Sequence, residues 1–282
     1  MTLTSDGLPP LGEVIRQHGL SARKKLGQNF ILDLNLTRRI ARTAGPLEGR
    51  TVIEIGPGPG GLTRALLMEG AEKIIAIERD ERCLPALEQI ADAYPGKLEV
   101  HQGDALAVNI PDIAPEDSRI VANLPYGVAT ELLAQWLAAD TWPPRYTKMV
   151  LMFQREVAER IIATPGTKAY GRLSILAQWR STPRILFNLP PRAFTPAPKV
   201  DSSVVEFIPI REPEDAGSCE ALQKVSAAAF GQRRKMLRQS LKSIFKETEK
   251  SLEMAELDPT QRAETLSIAD FCRLARIYKN NM

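Results

Sequence analysis

The stretch E-I-G-P-G-P-G-G (54–61) decides the fold of this chain of 282 residues. Its first two residues end an apolar run, T-V-I-E-I (51–55), and it precedes an apolar stretch with helical spacing, L-T-R-A-L-L-M (62–68). Glycines let the chain turn sharply there and let a ligand approach the main chain closely. A glycine-rich turn between a buried strand and a helix is typical of α/β domains that bind a ligand at the ends of their strands.

Further strands and helices alternate along the chain on the C-terminal side of this turn. Apolar runs predict seven strands in all, at 51–56, 73–78, 98–105, 119–123, 149–154, 184–188 and 203–210. The helices predicted between them follow the same alternation, which indicates an α/β domain with a mostly parallel sheet.

The composition changes near R-E-P-E-D-A-G-S (211–218), which reads as a linker. Beyond it the spacing of apolar residues predicts only helices, at 219–246, about 248–257 and 267–278. We therefore predict two domains, an α/β domain over 1–210 and a small helical domain over 211–282.

Composition and charge narrow the classes of protein. Hydrophobic residues make up 44% of the chain, which allows a sizeable core, and the net charge of +3 restricts any nucleic-acid surface to a local patch. Cys83, Cys219 and Cys272 are far apart, and His18 and His101 stand alone, so we expect neither disulfides nor a metal site. No apolar run reaches the length of a membrane span, and we expect a cytoplasmic protein.

The glycine spacing of the turn fits two cofactors. Gly56, Gly58 and Gly61 match G-x-G-x-x-G, and Glu78 ends the second predicted strand, where a carboxylate accepts hydrogen bonds from ribose hydroxyls. These features suit NAD and S-adenosylmethionine equally.

Two acidic residues favour S-adenosylmethionine over NAD. Glu54 precedes the first glycine, and Asp104 follows the third strand, where its carboxylate could accept the exocyclic amine of an adenine ring. Taken alone, Asp104 is equally typical of a helix N-cap. We expect Glu54, Glu78 and Asp104 to line one rim of the donor site.

The stretch N-L-P-Y (123–126) stands directly after the fourth predicted strand. With a methyl donor across the first three strands, these residues would hold the acceptor. The amide oxygen of Asn123 and the carbonyl of Leu124 could accept the two hydrogens of an exocyclic amine, with Pro125 fixing the turn. Tyr126 offers a flat face on which a base stacks. Taken alone, the stretch also fits an ordinary Asn-Pro turn.

The motifs in this order closely resemble the ribosomal RNA adenine N6-dimethyltransferase family, in particular its small-subunit branch. The matching segments are L-G-Q-N-F (26–30), E-I-G-P-G-P-G-G-L-T (54–63), Glu78, G-D-A (103–105), N-L-P-Y (123–126), Y-G-R-L-S (170–174), F-T-P-A-P-K-V-D-S-S-V (194–204) and F-G-Q-R-R-K-M-L (230–237). The resemblance covers essentially residues 22–278.

The resemblance implies a Rossmann-like S-adenosylmethionine-dependent methyltransferase domain with a helical C-terminal domain. It implies dimethylation of N6 of two adjacent adenosines in the 3′-terminal hairpin loop of 16S rRNA, within a pre-assembled small ribosomal subunit (30S), and a role in subunit biogenesis. We expect no metal, no membrane and a monomer.

The resemblance also implies roles for individual residues. Asn29 and Ile31 would contact the methionine end of the donor, although the family often has Leu where Ile31 stands. Gly56 would contact the donor through the main-chain turn, Glu78 would contact its ribose, and Asp104 its adenine. Asn123 would face both donor and acceptor. Phe194 would be a second stacking aromatic, on the face of the base opposite Tyr126.

Two basic regions predict where RNA would bind. Residues 224–246 carry seven cations and no acid, and helical spacing places Arg234, Arg238 and Lys242 on one face. A second region joins residues 23–25 to Arg38, Arg39 and Arg42. A solvated helix face is the alternative for such a run. The predicted RNA-binding residues are Arg23, Lys24, Lys25, Arg233, Arg234, Lys235, Arg238 and Lys242.

Three other functions remain open from the sequence. One is methylation of large-subunit rRNA by an enzyme of the kind that confers macrolide resistance, which the helical C-terminal segment disfavours. Another is a non-catalytic RNA-binding assembly factor on the same fold, which the intact N-L-P-Y stretch disfavours. The third is an NAD oxidoreductase, for which no hydride-site constellation is evident.

Overall fold

The structure, a computed structural model, describes residues 3–281; of Lys24, Pro111 and Asp112 it describes the backbone alone. Among the described residues, no helix is long and apolar enough to cross a membrane. Nor do three or more His, Cys, Asp or Glu side chains of that part of the chain gather where they could hold a metal ion.

Seven strands form one sheet in the order β3-β2-β1-β4-β5-β7-β6. Their bounds are β1 Thr51–Ile55, β2 Lys73–Glu78, β3 Leu98–Gln102, β4 Arg119–Ala122, β5 Lys148–Gln154, β6 Ser181–Leu189 and β7 Ser202–Pro209. The first five strands pair in parallel, and β7 runs antiparallel to β5. The predicted seven-stranded, mostly parallel sheet is confirmed.

Helices connect the strands and make up most of the C-terminal part. Their bounds are α1 Leu11–Gln17, α2 Leu34–Thr43, α3 Gly61–Met68, α4 Leu84–Ala93, α5 Ile110–Ile113, α6 Ala129–Leu137, α7 Arg155–Ile161, α8 Arg172–Arg180, α9 Cys219–Gly231, α10 Leu237–Ser240, α11 Thr248–Met254 and α12 Ile268–Asn280. The described residues after β7 contain no strand, as predicted.

The order of the strands reverses at β1, and this reversal locates the site. Ile53 lies opposite Ile75 of β2 on one side and Ile120 of β4 on the other. In open parallel sheets, the loops at the carboxyl ends of such central strands diverge and leave a crevice. The turns after β1 to β4 therefore face a common space.

The central strands are apolar because helices cover the sheet on both faces. Val52, Ile53, Ile74 and Val121 are fully buried, as is Trp136 of α6. Burial of such side chains stabilises the fold by roughly 1.5–3 kcal/mol each relative to leaving them exposed. The sheet is thus a rigid base for the loops that follow its strands.

The chain divides into two compact units, Met1–Ala158 with Arg184–Pro209, and Glu159–Pro183 with Ile210–Met282. The second unit takes in α8 because this helix and the residues before it bond to the C-terminal helical part. Tyr170 donates its hydroxyl to the Leu266 carbonyl at 2.9 Å. Trp179, within α8, donates to the Glu214 carbonyl at 2.7 Å. The units differ from the predicted domains in residues 159–183 and in Ile210. The limits 1–210 and 211–282 stay a prediction, since a compact unit is not thereby shown to fold alone.

The prediction of one continuous helix over 219–246 was wrong, because the helix is interrupted. Helix α9 ends at Gly231 and α10 covers only Leu237–Ser240. The main chain between them leaves the helical path to pair with a distant loop: Leu237 N donates to Gln261 O at 2.8 Å and Arg238 N to Pro259 O at 3.1 Å. Arg234 consequently does not lie on one continuous helix with Lys242.

Candidate active site

A cavity of about 340 Å³ opens at the carboxyl ends of β1 to β4. That volume lies in the range of small-molecule sites. The predicted residues in its wall are Lys25, Asn29, Gly56, Glu78, Asp104, Asn123, Leu124, Pro125 and Tyr126. One wall thus unites residues that are spread over about 100 positions of the sequence.

The glycine-rich turn forms the floor of the cavity. Gly56 and Gly58 have φ values of +65° and +56°, a region that side chains other than glycine rarely adopt. A Cβ atom on Gly58 would also lie 3.0 Å from Cε1 of Phe30. Only glycine therefore keeps this turn tight and its main chain open to a ligand.

Glu78, at the end of β2, is 4% exposed and held in a fixed orientation. Its Oε2 accepts from the backbone N of Gly58 at 2.8 Å, and its Oε1 accepts from the backbone N of Asp80 at 2.6 Å. Burial raises the pKa of this carboxyl above its ordinary value, although these hydrogen bonds oppose the shift. Each carboxylate oxygen has a second lone pair, which suits the two hydroxyls of a ribose.

Asp104 caps a helix, which is one of the two roles that its position suggested. Its Oδ1 accepts from Leu106 N at 3.0 Å and caps a short 3₁₀ helix, Ala105–Ala107. Its Oδ2 lies 3.1 Å from Nη1 of Arg79, which also lines the cavity. The cap fixes the carboxylate at the mouth of the cavity, where it can still accept from an amine.

Glu54 does not line this cavity, and the expectation of a common rim with Glu78 and Asp104 was wrong. It is fully buried beside a separate space of about 30 Å³ and accepts from Oγ1 of Thr63 at 2.7 Å. Burial raises the pKa of Glu54 to about 8, and the nearby Glu78 adds to the shift.

Asn123 is oriented by the main chain of Asn29. Its Nδ2 donates to the backbone oxygen of Asn29 at 2.9 Å. Because Nδ2 is engaged there, the amide presents Oδ1 as an acceptor on its other side. Asn123 lines both the main cavity and the small space beside Glu54.

Leu124 and Pro125 shape the turn that leads into α6. The Pro125 carbonyl accepts from the backbone N atoms of Val128 and Ala129, both at 3.1 Å. The carbonyl that starts the helix is therefore that of Pro125, and the carbonyl of Leu124 remains outside it. The Leu124 side chain is 1% exposed and anchors the turn in the core.

Tyr126 is half-buried in the cavity wall, and its hydroxyl is hydrogen-bonded to Oγ of Ser202 at the start of β7. Burial raises the pKa of this phenol above its ordinary value. The bond to Ser202 fixes the direction of the ring, which a stacking platform for a base requires.

Ile31 and Phe194 do not line the main cavity. The carbonyl of Ile31 faces α3, where a Cβ atom on Gly61 would approach it to 3.0 Å, and its side chain borders the small space beside Glu54. Phe194 is 4% exposed and packs in the hydrophobic core. The segments of these two residues are paired, because Phe30 and Thr195 exchange backbone hydrogen bonds of 2.9 and 2.8 Å.

The basic region near the N-terminus is smaller than predicted. Lys25 lines the cavity and Arg23 is exposed, while the side chain of Lys24 lies outside what is described. Arg38 and Arg42 both pair with Glu69, at 2.6 and 2.9 Å. Arg39 lies over the ring of Phe187, its guanidinium carbon 4.0 Å from the ring centre.

The C-terminal basic residues differ in their availability. Arg233 donates to Glu264 at 2.9 Å and to the carbonyl of Thr167 at 3.2 Å, so it stabilises its own unit. Arg234, Lys235 and Lys242 are exposed, and Arg238 is half-exposed.

Sequence reasoning missed several residues of the cavity wall, among them Leu26, Gly27, Gln28 and Arg79. The first three lie within the quoted segment L-G-Q-N-F, and Arg79 directly follows Glu78. Adjacency to predicted site residues was therefore the available signal.

Comparison with known proteins agrees with this geometry. The sequence profile of the family described as "Ribosomal RNA adenine dimethylase" matches residues 19–280. A relative from Chelativorans sp. (strain BNC1), named Ribosomal RNA small subunit methyltransferase A, is 61% identical over 276 residues, which cover 97% of this chain and 99% of the relative.

Two solved structures have the same fold. A dimethyladenosine transferase from Plasmodium falciparum has a TM-score of 0.68 at 25% identity, covering 84% of this chain and 93% of that one. The 23S rRNA methyltransferase ErmE has a TM-score of 0.64 at 26% identity, covering 89% of this chain and 100% of that one. The S-adenosylmethionine-dependent methyltransferase fold is confirmed, and the chain belongs to the ribosomal RNA adenine dimethylase family.

Proposed function

We propose that this enzyme transfers methyl groups from S-adenosylmethionine to N6 of two adjacent adenosines in the 3′-terminal hairpin loop of 16S rRNA. The observation that carries the proposal is the orientation of Asn123, whose Nδ2 is engaged by Asn29 so that Oδ1 is free to accept. The high identity to the small-subunit relative, 61%, against 26% to ErmE, supports 16S over 23S rRNA as the target.

The cavity residues fit the methyl donor. Glu78 would hold the ribose hydroxyls, Asp104 the adenine amine, and the main chain around Gly56 and Asn29 the methionine end. S-adenosylmethionine, when bound, supplies an electrophilic methyl group on its sulfonium. The glycine turn, with φ of +65° at Gly56, leaves its main chain accessible for this contact.

The acceptor residues make the adenine amine more nucleophilic. The lone pair of an aromatic amine is delocalised into the ring, and two acceptors on its hydrogens favour a tetrahedral nitrogen with a localised lone pair. Asn123 Oδ1 and the Leu124 carbonyl supply these acceptors, while Tyr126 holds the base by stacking. The target base must leave any stack to reach them, which favours a loop nucleotide.

The neutral amide of Asn123 is sufficient for this role. Once the methyl group arrives, the amine nitrogen carries a positive charge and its proton becomes acidic, so no strong base is required.

We propose Phe194 as the second stacking aromatic on the resemblance alone, because its ring lies in the core of this structure.

We further propose that the substrate is rRNA within a pre-assembled 30S particle, and that the enzyme acts as a cytoplasmic monomer with a role in subunit biogenesis. The exposed cations Arg234, Lys235 and Lys242 support an RNA surface on the C-terminal unit. On the first unit, Lys25 lines the cavity and the exposed Arg23 adds positive charge nearby in the sequence.

Labelled methyl donor tests the proposal directly. The protein and labelled S-adenosylmethionine are incubated in three parallel reactions. These contain undermethylated 30S particles, undermethylated 50S particles or protein-free 16S rRNA. We expect label in adenine of the 30S particles. Label only in 50S particles would assign the enzyme to large-subunit rRNA, and equal label in free 16S rRNA would remove the requirement for a pre-assembled particle. A non-catalytic assembly factor would bind 30S particles and leave them unlabelled.

A further inference from the structure

Gln28 joins two parts of the cavity wall through the two ends of its side-chain amide. Its Oε1 accepts from the backbone N of Arg23 at 2.8 Å, and its Nε2 donates to Oδ2 of Asp80 at 2.9 Å. The first bond closes residues 23–28, here called the front loop, upon itself. The second bond attaches the front loop to the segment that follows β2.

Asp80 is a rigid anchor for this attachment. Its side chain is 2% exposed and accepts from Nε and Nη2 of Arg82 at 2.8 and 2.6 Å. These bonds to Arg82 lower the pKa of Asp80 to about 2, so the carboxylate is charged at any working pH. The backbone N of Asp80 donates to Glu78, so the residue that holds the front loop also holds the ribose-binding carboxylate.

The front loop has few other ties. None of its side chains that the structure describes is buried, so packing in the core does not fix its position. Arg82 adds one polar contact just before the loop, donating from Nη1 to the carbonyl of Ser21 at 3.3 Å. Hydrogen bonds to charged groups are stronger than those between neutral groups. The bond between Gln28 and Asp80 is therefore a strong attachment within the loop itself, while Asn29 and Phe30 are attached just beyond it to Asn123 and Thr195.

We infer that Gln28 is a positioning residue for the methyl donor, because its links to Asp80 and Arg23 hold the front loop as one wall of the cavity. The loop supplies Lys25, Leu26 and Gly27 to that wall. It also leads directly into Asn29, whose carbonyl orients the amide of Asn123. The inference rests on the proposed function, since the ligand concerned is the donor.

The front loop carries its own probe, because trypsin cleaves after Arg23, Lys24 and Lys25. We compare the wild type with Gln28→Ala, and with Gln28→Met, which keeps the length of the side chain and removes its hydrogen bonds. Both variants should be cleaved at these bonds about tenfold faster, as expected for loss of a hydrogen bond to a charged group. Mass spectrometry of the fragments identifies the bonds that are cut.

Donor binding gives the second measurement, with S-adenosylhomocysteine as the probe. Calorimetry should show the dissociation constant of both variants raised about tenfold. Donor affinity should change more than turnover at saturating donor does, because Gln28 touches no reacting atom. Gln89→Ala is the matched control: this glutamine makes its hydrogen bond to His18, at 2.9 Å, and does not line the cavity. This variant should be cleaved by trypsin and should bind S-adenosylhomocysteine as the wild type does.

The outcomes separate the inference from the proposed function. Wild-type protein that does not bind S-adenosylhomocysteine contradicts the proposed donor site itself. Wild-type binding together with unchanged cleavage and affinity in Gln28→Ala overturns only the positioning role. Wild-type behaviour of Gln28→Met also overturns it, because the volume of the side chain and not its hydrogen bonds would then hold the loop.

Discussion

The side-chain amide of Asn123 and the backbone carbonyl of Asn29 are joined by a hydrogen bond of 2.9 Å. The bond links the segment before α2 to the turn after β4, so in the proposed site a contact on the donor side would set the direction of an acceptor on the substrate side. Because Asn29 contributes a main-chain atom, its own side chain can change without removing the bond. This separation allows the two halves of the site to be tested independently.

Tyr126 should act through its ring more than through its hydroxyl. Tyr126→Ala removes the stacking face, worth roughly 1–3 kcal/mol, and should lower kcat/KM for 30S particles about 5- to 150-fold. Tyr126→Phe keeps the face and loses only the bond to Ser202, so a drop of less than about fivefold is expected. Steady-state methyl transfer measures both. Equal losses in the two variants would show that the hydroxyl is the active part.

Phe194 has a structural role and a proposed catalytic one, and leucine separates them. Phe194→Ala should destabilise the fold by about 3–5 kcal/mol, because its ring is buried in the core. Phe194→Leu should cost less than about 1.5 kcal/mol in chemical unfolding. If the ring also stacks on the base, methyl transfer by Phe194→Leu should fall about tenfold. Unchanged transfer in that stable variant would limit Phe194 to the core.

Glu54 should make stability depend on pH. Its folded-state pKa of about 8 lies above its ordinary value of 4.5, so the folded protein retains a proton that the unfolded chain releases. Its stabilising contribution is complete below pH 4.5 and is lost as the pH rises toward 8. In Glu54→Gln, where the amide oxygen still accepts from Thr63, urea unfolding should show a smaller loss of stability between these pH values. An identical pH profile in wild type and variant would contradict an elevated pKa for Glu54.

The exposed cations of the C-terminal unit should contribute to RNA affinity without affecting the donor. Arg234→Glu combined with Arg238→Glu should weaken binding of 30S particles and reduce the slope of log affinity against log salt by about two. Affinity for S-adenosylhomocysteine should not change. Lys250→Glu is the control, because Lys250 lies on α11 in the same unit and pairs with Glu247 at 3.0 Å. If Lys250→Glu weakened binding of 30S particles to a similar extent, the loss of affinity would be due to net charge alone.

Much of the sheet could be predicted because buried strands appear in the sequence as short apolar runs. Strand β2, for example, is the run K-I-I-A-I-E and has the predicted bounds. Helix α1 was not predicted, because it has only seven residues and follows two prolines. The break after Gly231 was also missed, since it depends on backbone pairing with residues 259–262, which local spacing does not record.

The donor side of the site was easier to predict than its surroundings. Glu78 ends β2 and Asp104 comes two residues after β3, so topology alone brings them together. Glu54 borders a different space and accepts from Thr63 of α3, a partner that the spacing of the strand does not record. Arg38 and Arg42 looked like RNA ligands, but both pair with Glu69, a residue 27 positions beyond Arg42. Sequence shows a charge without showing its partner.

Single-turnover methyl transfer by Asn123→Ala, compared with Asn29→Ala, tests whether the side-chain amide of Asn123 accepts from the reacting amine. We expect Asn123→Ala to slow transfer to 30S adenine by roughly 100-fold or more at saturating donor, since a preorganised acceptor on the reacting amine is lost. Asn29→Ala retains the carbonyl that orients Asn123 and should transfer at nearly the wild-type rate once donor is saturating. Wild-type transfer by Asn123→Ala would contradict this role of Asn123.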